Sequence, residues 1–199
     1  MCLTPHLRKG MFETEDETIL RQYRRLVAKA REQGIPVRIF MSREYHWDSG
    51  LRIRLKSGAG FSMGKNCWIL LEFSSLHSFG DLEMGIAEVR RSGYRPLIAH
   101  VERYPALEEN PDMARKLISA GAALQVNAGS LLGEEGRRQK KFARMLMEQN
   151  LISVVASDAH GTEYRRPNLD QCKDLLLKKM GQRYTRKVLV TNPVAILSK

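Results

Sequence analysis

The sequence predicts an α/β fold whose parallel sheet closes into a barrel. Three observations carry that expectation. Short apolar runs alternate with amphipathic helical stretches at a spacing of roughly 25 to 35 residues, the rhythm of βαβ units. Several of these runs end on one ionisable residue, and the C-terminal face of a parallel barrel is where such residues collect. The chemistry is spread over separate strand ends, whereas an open doubly wound sheet gathers it in one crevice. No glycine-rich phosphate loop or dinucleotide fingerprint is present.

Residues 1–6 read as the tail of a strand that turns at Pro5 and His6. The expectation is that the chain starts at the second strand of the barrel, with the first β/α unit missing. Residues 7–12 are a basic loop. Thr14 with Glu17 three positions on forms a capping box, and the helix it opens carries Ile19, Tyr23, Leu26, Val27 and Ala30 on one side. Gly34 stops it. Residues 35–41 are a β-branched strand that delivers Glu44. Residues 45–66 are the least regular stretch, with Gly50, Gly58, Gly60 and Gly64 and a short strand at 51–55.

Residues 67–72 form a buried strand ending in Glu72. A helix over 81–92 points Leu82, Ile86 and Val89 inward, with Gly93 as its stop. The strand at 96–100 ends in His100. Asn110-Pro111-Asp112 opens a helix carrying Met113, Leu117 and Ile118. Residues 122–127 are a strand with a polar amide at its end. Residues 133–150 are a helix with the basic face Arg137, Arg138, Lys140, Lys141 and Arg144. The strand at 151–157 delivers Asp158 and His160. Residues 169–180 are helical, as are 181–190, and Asn192-Pro193 begins a tail.

A chain of 199 residues predicts one domain over 1–199, and 43% hydrophobic residues suffice for a sizeable core. A net charge of +11 favours an anionic partner: a phosphorylated substrate, an acidic polymer, nucleic acid or a membrane surface. Cys2, Cys67 and Cys172 are far apart and form no CxxC, which excludes a zinc knuckle and a disulfide framework and fits a reducing cytoplasm. No apolar run reaches the roughly 18 residues of a membrane span, and no signal peptide opens the chain.

The candidate metal ligands are His6, Glu44, Glu72, His100, Asp158 and His160, each at or just past the end of an apolar segment. Carboxylates bridge neighbouring divalent ions, and imidazoles complete the shell. Such ions acidify a water and neutralise a phosphate oxygen. Arg103 and Arg165 follow His100 and His160 and offer planar forks for the remaining phosphate oxygens. His46 and His77 read as surface histidines in loops. Ser157 lacks a Gly-x-Ser-x-Gly elbow and reads as a small supporting residue.

The segments Arg8-Lys9-Gly10-Met11-Phe12-Glu13-Thr14, Leu71-Glu72-Phe73, Pro96-Leu97-Ile98-Ala99-His100-Val101-Glu102-Arg103-Tyr104 and Ala156-Ser157-Asp158-Ala159-His160, with Arg165 and Pro167, carry a resemblance. The chain closely resembles bacterial manganese-dependent tyrosine phosphatases of the polymerase-and-histidinol-phosphatase (PHP) superfamily, the CpsB, CapC and YwqE type encoded with capsule and exopolysaccharide genes. The resemblance implies a distorted (β/α)7 barrel, two or three Mn2+ ions, and dephosphorylation of the C-terminal tyrosines of a bacterial tyrosine kinase. It matches the six candidate ligands to the family's metal ligands and the two arginines to its phosphate-binding arginines. Asp158 or His160 would orient the attacking water or move its proton. The family's opening His-x-His pair has no counterpart here, and a bared first edge would invite association with a second copy. A phosphoesterase on another phosphomonoester, and a catalytically impaired binding protein, are the alternative readings. Nucleic-acid binding through the net charge is less expected.

Overall fold

The computed structural model describes residues 1–57, 61–64, 67–108 and 110–198. Eight parallel strands are present among them. β1 (Cys2–Leu3) pairs with β3 (Phe40–Met41) in a small sheet. β2 (His6–Leu7), β4 (Glu44–His46), β5 (Trp68–Glu72), β6 (Arg95–Ile98), β7 (Ala123–Asn127) and β8 (Val154–Ala156) lie side by side in chain order. Helices fill the crossovers: α1 (Asp16–Glu32), α2 (Leu51–Lys56), α3 (Phe79–Arg91), α4 (Pro105–Glu108), α5 (Asp112–Ser119), α6 (Ala128–Leu132), α7 (Arg137–Glu148) and α8 (Leu169–Arg186). α9 (Asn192–Leu197) closes the chain.

A flat sheet of six strands would hold its edges roughly 24 Å apart. The rings of His6, on edge strand β2, and His160, just beyond edge strand β8, are 5.8 Å apart. The sheet is therefore strongly curled, and its C-terminal ends face a common centre.

Strand alternation sorts the apolar residues into two cores. Ile69, Leu71 and Phe73 point outward and pack with Leu82, Ile86 and Val89 of α3 and with Leu124 and Val126 of β7. Leu97, Ala123 and Val154 point the other way and meet Met63 and Ile196. α9 thus floors the inner face. Gly64 makes that floor possible, because it sits at φ 60° and an added Cβ would lie 2.5 Å from the Ile196 carbonyl oxygen. Above this floor the inner face turns polar, with Glu44, His46, Gln125 and Asn127 all buried.

Several local expectations are corrected. α1 starts at Asp16 with Glu15 as its cap and no side-chain capping bond, so the Thr14 box does not form. The Thr14 carbonyl instead accepts from the fully buried Arg43, whose guanidinium also donates to Asp16 (2.7 Å) and to the His6 carbonyl (3.0 Å). That fork fastens α1 to the end of β2. The apolar stripe of α1 is only half-buried, and Leu26 is exposed. The 35–41 strand shrinks to Phe40–Met41, and Glu44 opens a strand of its own. Residues 51–56 are helical because Leu51 and Leu55, four apart, are the buried pair while Ile53 faces out. α3 starts at Phe79 under a true capping box of Ser78 and Asp81. The helix expected over 133–150 is present as α7, trimmed to Arg137–Glu148, with the short α6 ahead of it, and the expected tail is helical. Gly58, Gly60 and Asn66 lie outside the described residues.

Candidate metal centre and anion pocket

Strand register builds the centre. His6 pairs with Glu44 across β2 and β4, and His46 pairs with Glu72 across β4 and β5. His6 Nδ1 lies 3.4 Å from Glu44 Oε2 and 3.8 Å from Glu72 Oε2. His100 Nε2 lies 3.0 Å from Glu44 Oε1 and 3.5 Å from Glu72 Oε1. His46 Nδ1 lies 3.3 Å from Glu72 Oε2. Phe12 of the basic loop stacks on the His6 ring at 5.2 Å. Tyr104 accepts the Phe73 N–H through its hydroxyl (3.0 Å), which fixes the backbone next to Glu72. On the outer side α3 approaches so closely that a Cβ on Gly85 would sit 2.7 Å from the Phe73 ring.

Two carboxylates this close require a positive charge between them. Burial alone would lower the His100 imidazole, but Glu44 and Glu72 raise it to about 9. Burial would raise the Glu72 carboxyl, but His100 and His46 outweigh it and hold that group well below the usual carboxylate range. The His100 proton thus balances the cluster in the metal-free chain.

This balance predicts a pH dependence. The His100 proton is held to about 9 in the folded chain against 6.5 for a free imidazole. The stabilisation is complete below about pH 6.5 and disappears as pH rises through about 9, and is on the order of 3 kcal/mol. The melting temperature of the chelated protein should fall across that window. Added divalent cation should flatten or reverse the slope, because it binds the deprotonated ring. A flat profile for the chelated protein would contradict the pairing.

A second cluster lies beside the first. Asp158 Oδ2 accepts from Asn127 Nδ2 (2.9 Å) and from Arg165 Nη2, with Arg103 Nη2 at 3.4 Å. Arg103 in turn donates through Nε (3.1 Å) and Nη2 (2.7 Å) to Glu135 Oε2. Ser130 and Asn127 also donate to Glu135. His160 sits between the clusters, with its Nδ1 2.9 Å from the Asp158 carbonyl and its ring near His6.

Three of the site's residues hold strained backbone. His100, Asp158 and Arg165 have φ of 29°, 48° and 48°, a left-handed region that costs a non-glycine residue roughly 1–3 kcal/mol. Hydrogen bonds hold one of these in place: Gln125 Oε1 accepts the His100 N–H (2.6 Å). Such strain is retained where the surroundings fix a geometry that function needs.

The structure therefore joins His6, Glu44, Glu72 and His100 in one cluster and Asp158, Arg103 and Arg165 in another, with His160 between them. His46 corrects the sequence reading: it is a buried strand residue touching Glu72, not a surface loop residue. Its position two after Glu44 was the available signal, since period two puts both on one face. Asn127, Ser130 and Glu135 were also missed. Glu102, buried behind the site, accepts from Ser130 (2.7 Å) and the Asn127 N–H, and burial raises its carboxyl toward the neutral acid.

The donors suit a divalent cation. His6, Glu44 and Glu72 offer ligand atoms all within 4.8 Å of one another. Mixed imidazole and carboxylate donors fit manganese, iron or zinc.

Comparison with known proteins agrees with this chemistry. The family profile for capsular polysaccharide synthesis, CpsB/CapC, matches residues 1–198. The tyrosine-protein phosphatase CpsB of Streptococcus pneumoniae is 33% identical over 199 residues, covering 98% of this chain and 82% of that protein. A solved structure from work on YwqE of Bacillus subtilis and CpsB of Streptococcus pneumoniae, described as metal-dependent tyrosine phosphatases, superposes with a TM-score of 0.88 at 30% identity. It covers 98% of this chain and 78% of the other. A D-hydantoinase from a Thermus species matches with a TM-score of 0.52 at 12% identity, over 99% of this chain and 55% of its own, a likeness of fold alone.

Proposed function

The chain belongs to the CpsB/CapC capsular polysaccharide synthesis family, and on that premise we propose that it is a metal-dependent protein-tyrosine phosphatase. Its substrate is the phosphotyrosine tail of a bacterial tyrosine kinase that controls capsular or exopolysaccharide synthesis. The carrying observation is the cluster of imidazoles and carboxylates set directly beside two arginines on one acid. The finer reading is a single domain built as a distorted (β/α)7 barrel and working in the cytoplasm. No helix among the described residues is long and apolar enough to cross a membrane.

In this reading His6, Glu44, Glu72, His100, Asp158 and His160 hold two or three Mn2+ ions, and His46 supports Glu72. When bound, such ions supply Lewis-acid charge on a phosphate oxygen and lower the pKa of a water. The protein does the rest. Arg103 and Arg165 take the non-bridging phosphate oxygens with their planar forks. Glu135 fixes the approach of Arg103. Asp158 orients the attacking water, and His160, half-exposed at the rim, carries its proton to solvent. The tyrosyl oxygen leaves as a phenolate when its bond to phosphorus breaks, and takes up a proton from solvent. No cysteine lies at the site: Cys172 is buried elsewhere, with its thiol pushed up to about 12 by burial.

The test is phosphate release from a phosphotyrosyl peptide. Activity should appear with manganese, vanish on thorough chelation and return on adding the metal back. Activity that survives chelation would overturn the assignment.

A further inference from the structure

Beside the metal centre lies a cleft of about 520 Å³ that the reaction itself does not use. Its walls come from the basic loop after β2 and from the segment leading into α2, and Arg8, Lys9, Ile53 and Arg54 line it. His46 belongs to both places: it lines the cleft and touches Glu72. The charge in the cleft is unevenly committed. Arg54 is engaged with Asp48, with both carboxylate oxygens 2.9 Å from its Nη2. Arg8 and Lys9 have no carboxylate within ion-pair distance among the described residues. Ile53 is 73% exposed, a large apolar surface next to two uncommitted cations.

We propose that this cleft is a subsite for the peptide flanking the phosphotyrosine, with Arg8 and Lys9 taking an acidic side chain and Ile53 an apolar one. The inference rests on the phosphatase reading for the identity of the central residue. An extended peptide advances roughly 3.3–3.6 Å per residue, so the acidic residue stands within a few positions of the phosphotyrosine. The recognition is electrostatic and solvent-accessible, so each pair contributes modestly and weakens with salt.

The experiment uses labelled phosphotyrosyl peptides that differ only in their flanks, acidic or alanine, with binding read by fluorescence anisotropy and turnover read in parallel with manganese. The full chain should bind the acidic peptide about threefold to tenfold tighter at low salt. Arg8→Ala/Lys9→Ala should erase that preference. Lys178→Ala/Lys179→Ala on α8 removes the same net charge from an exposed face elsewhere and should keep it. Arg8→Glu/Lys9→Glu should favour a lysine-flanked peptide instead. Equal binding of both peptides by the unaltered chain overturns the subsite, as does loss of preference in the α8 pair. Selective binding with no phosphate release supports the subsite and overturns the phosphatase reading.

Discussion

Glu72→Gln should lower manganese-dependent phosphate release by roughly a thousandfold or more, while the chain stays folded. Glu72 is the residue on which the centre converges: its two oxygens face His6, His46 and His100. An amide keeps the shape but carries no charge, so it would hold a divalent cation less tightly. Charge stabilisation by a bound ion amounts to several kcal/mol, and each 1.36 kcal/mol is a factor of ten in rate. Three measurements separate this from simple unfolding. Circular dichroism should be unchanged. Elemental analysis should show fewer metal ions per chain. The His100 imidazole, about 9 in the metal-free parent, should titrate closer to its ordinary value by NMR. Full metal content with full turnover would remove Glu72 from the site.

Arg103→Ala should cost about 10²–10³ in kcat/KM, the loss seen when one preorganised donor to a developing anion is deleted. Arg103→Lys should recover little of it, because an ammonium cannot reproduce a planar fork. Arg103 is held ready by two bonds to Glu135, so its guanidinium does not have to be ordered when substrate arrives. A structural role would show itself in the melting temperature. The expected pattern is a small thermal shift, a large loss of turnover and weaker inhibition by vanadate. Turnover within a few-fold of the parent would exclude Arg103 from the anion pocket.

The sequence made the architecture legible where the physics is local. Apolar runs ending in one charge marked β5, β6 and β8, and glycines marked the ends of α1, α3 and α5. It misled where tertiary packing overrides pattern. Residues 35–41 look like a strand, yet two of them pair, because the adjacent edge strand is itself only two residues long. Residues 51–55 look β-branched in the middle, yet the buried leucines obey a four-residue period. At the site, the ionisable strand ends were visible because a charge after an apolar run is improbable without a use. His46 was readable in principle through its alternation with Glu44. Glu135 was not, because it reaches Arg103 from a loop beyond α6, and no spacing in the chain announces that return.

The carboxylate shared by Arg103 and Arg165 has a consequence for selectivity. Asp158 is tethered where an incoming anion must settle, so every visitor competes with an internal rival of high effective concentration. A weak monovalent ion that offers one oxygen gains too little to dislodge it. On the proposed reading a dianion with several oxygens would engage both arginines and release Asp158 to the roles of metal ligand and water-orienting group. On that reading the pocket would favour a multiply charged oxyanion over a small monovalent one.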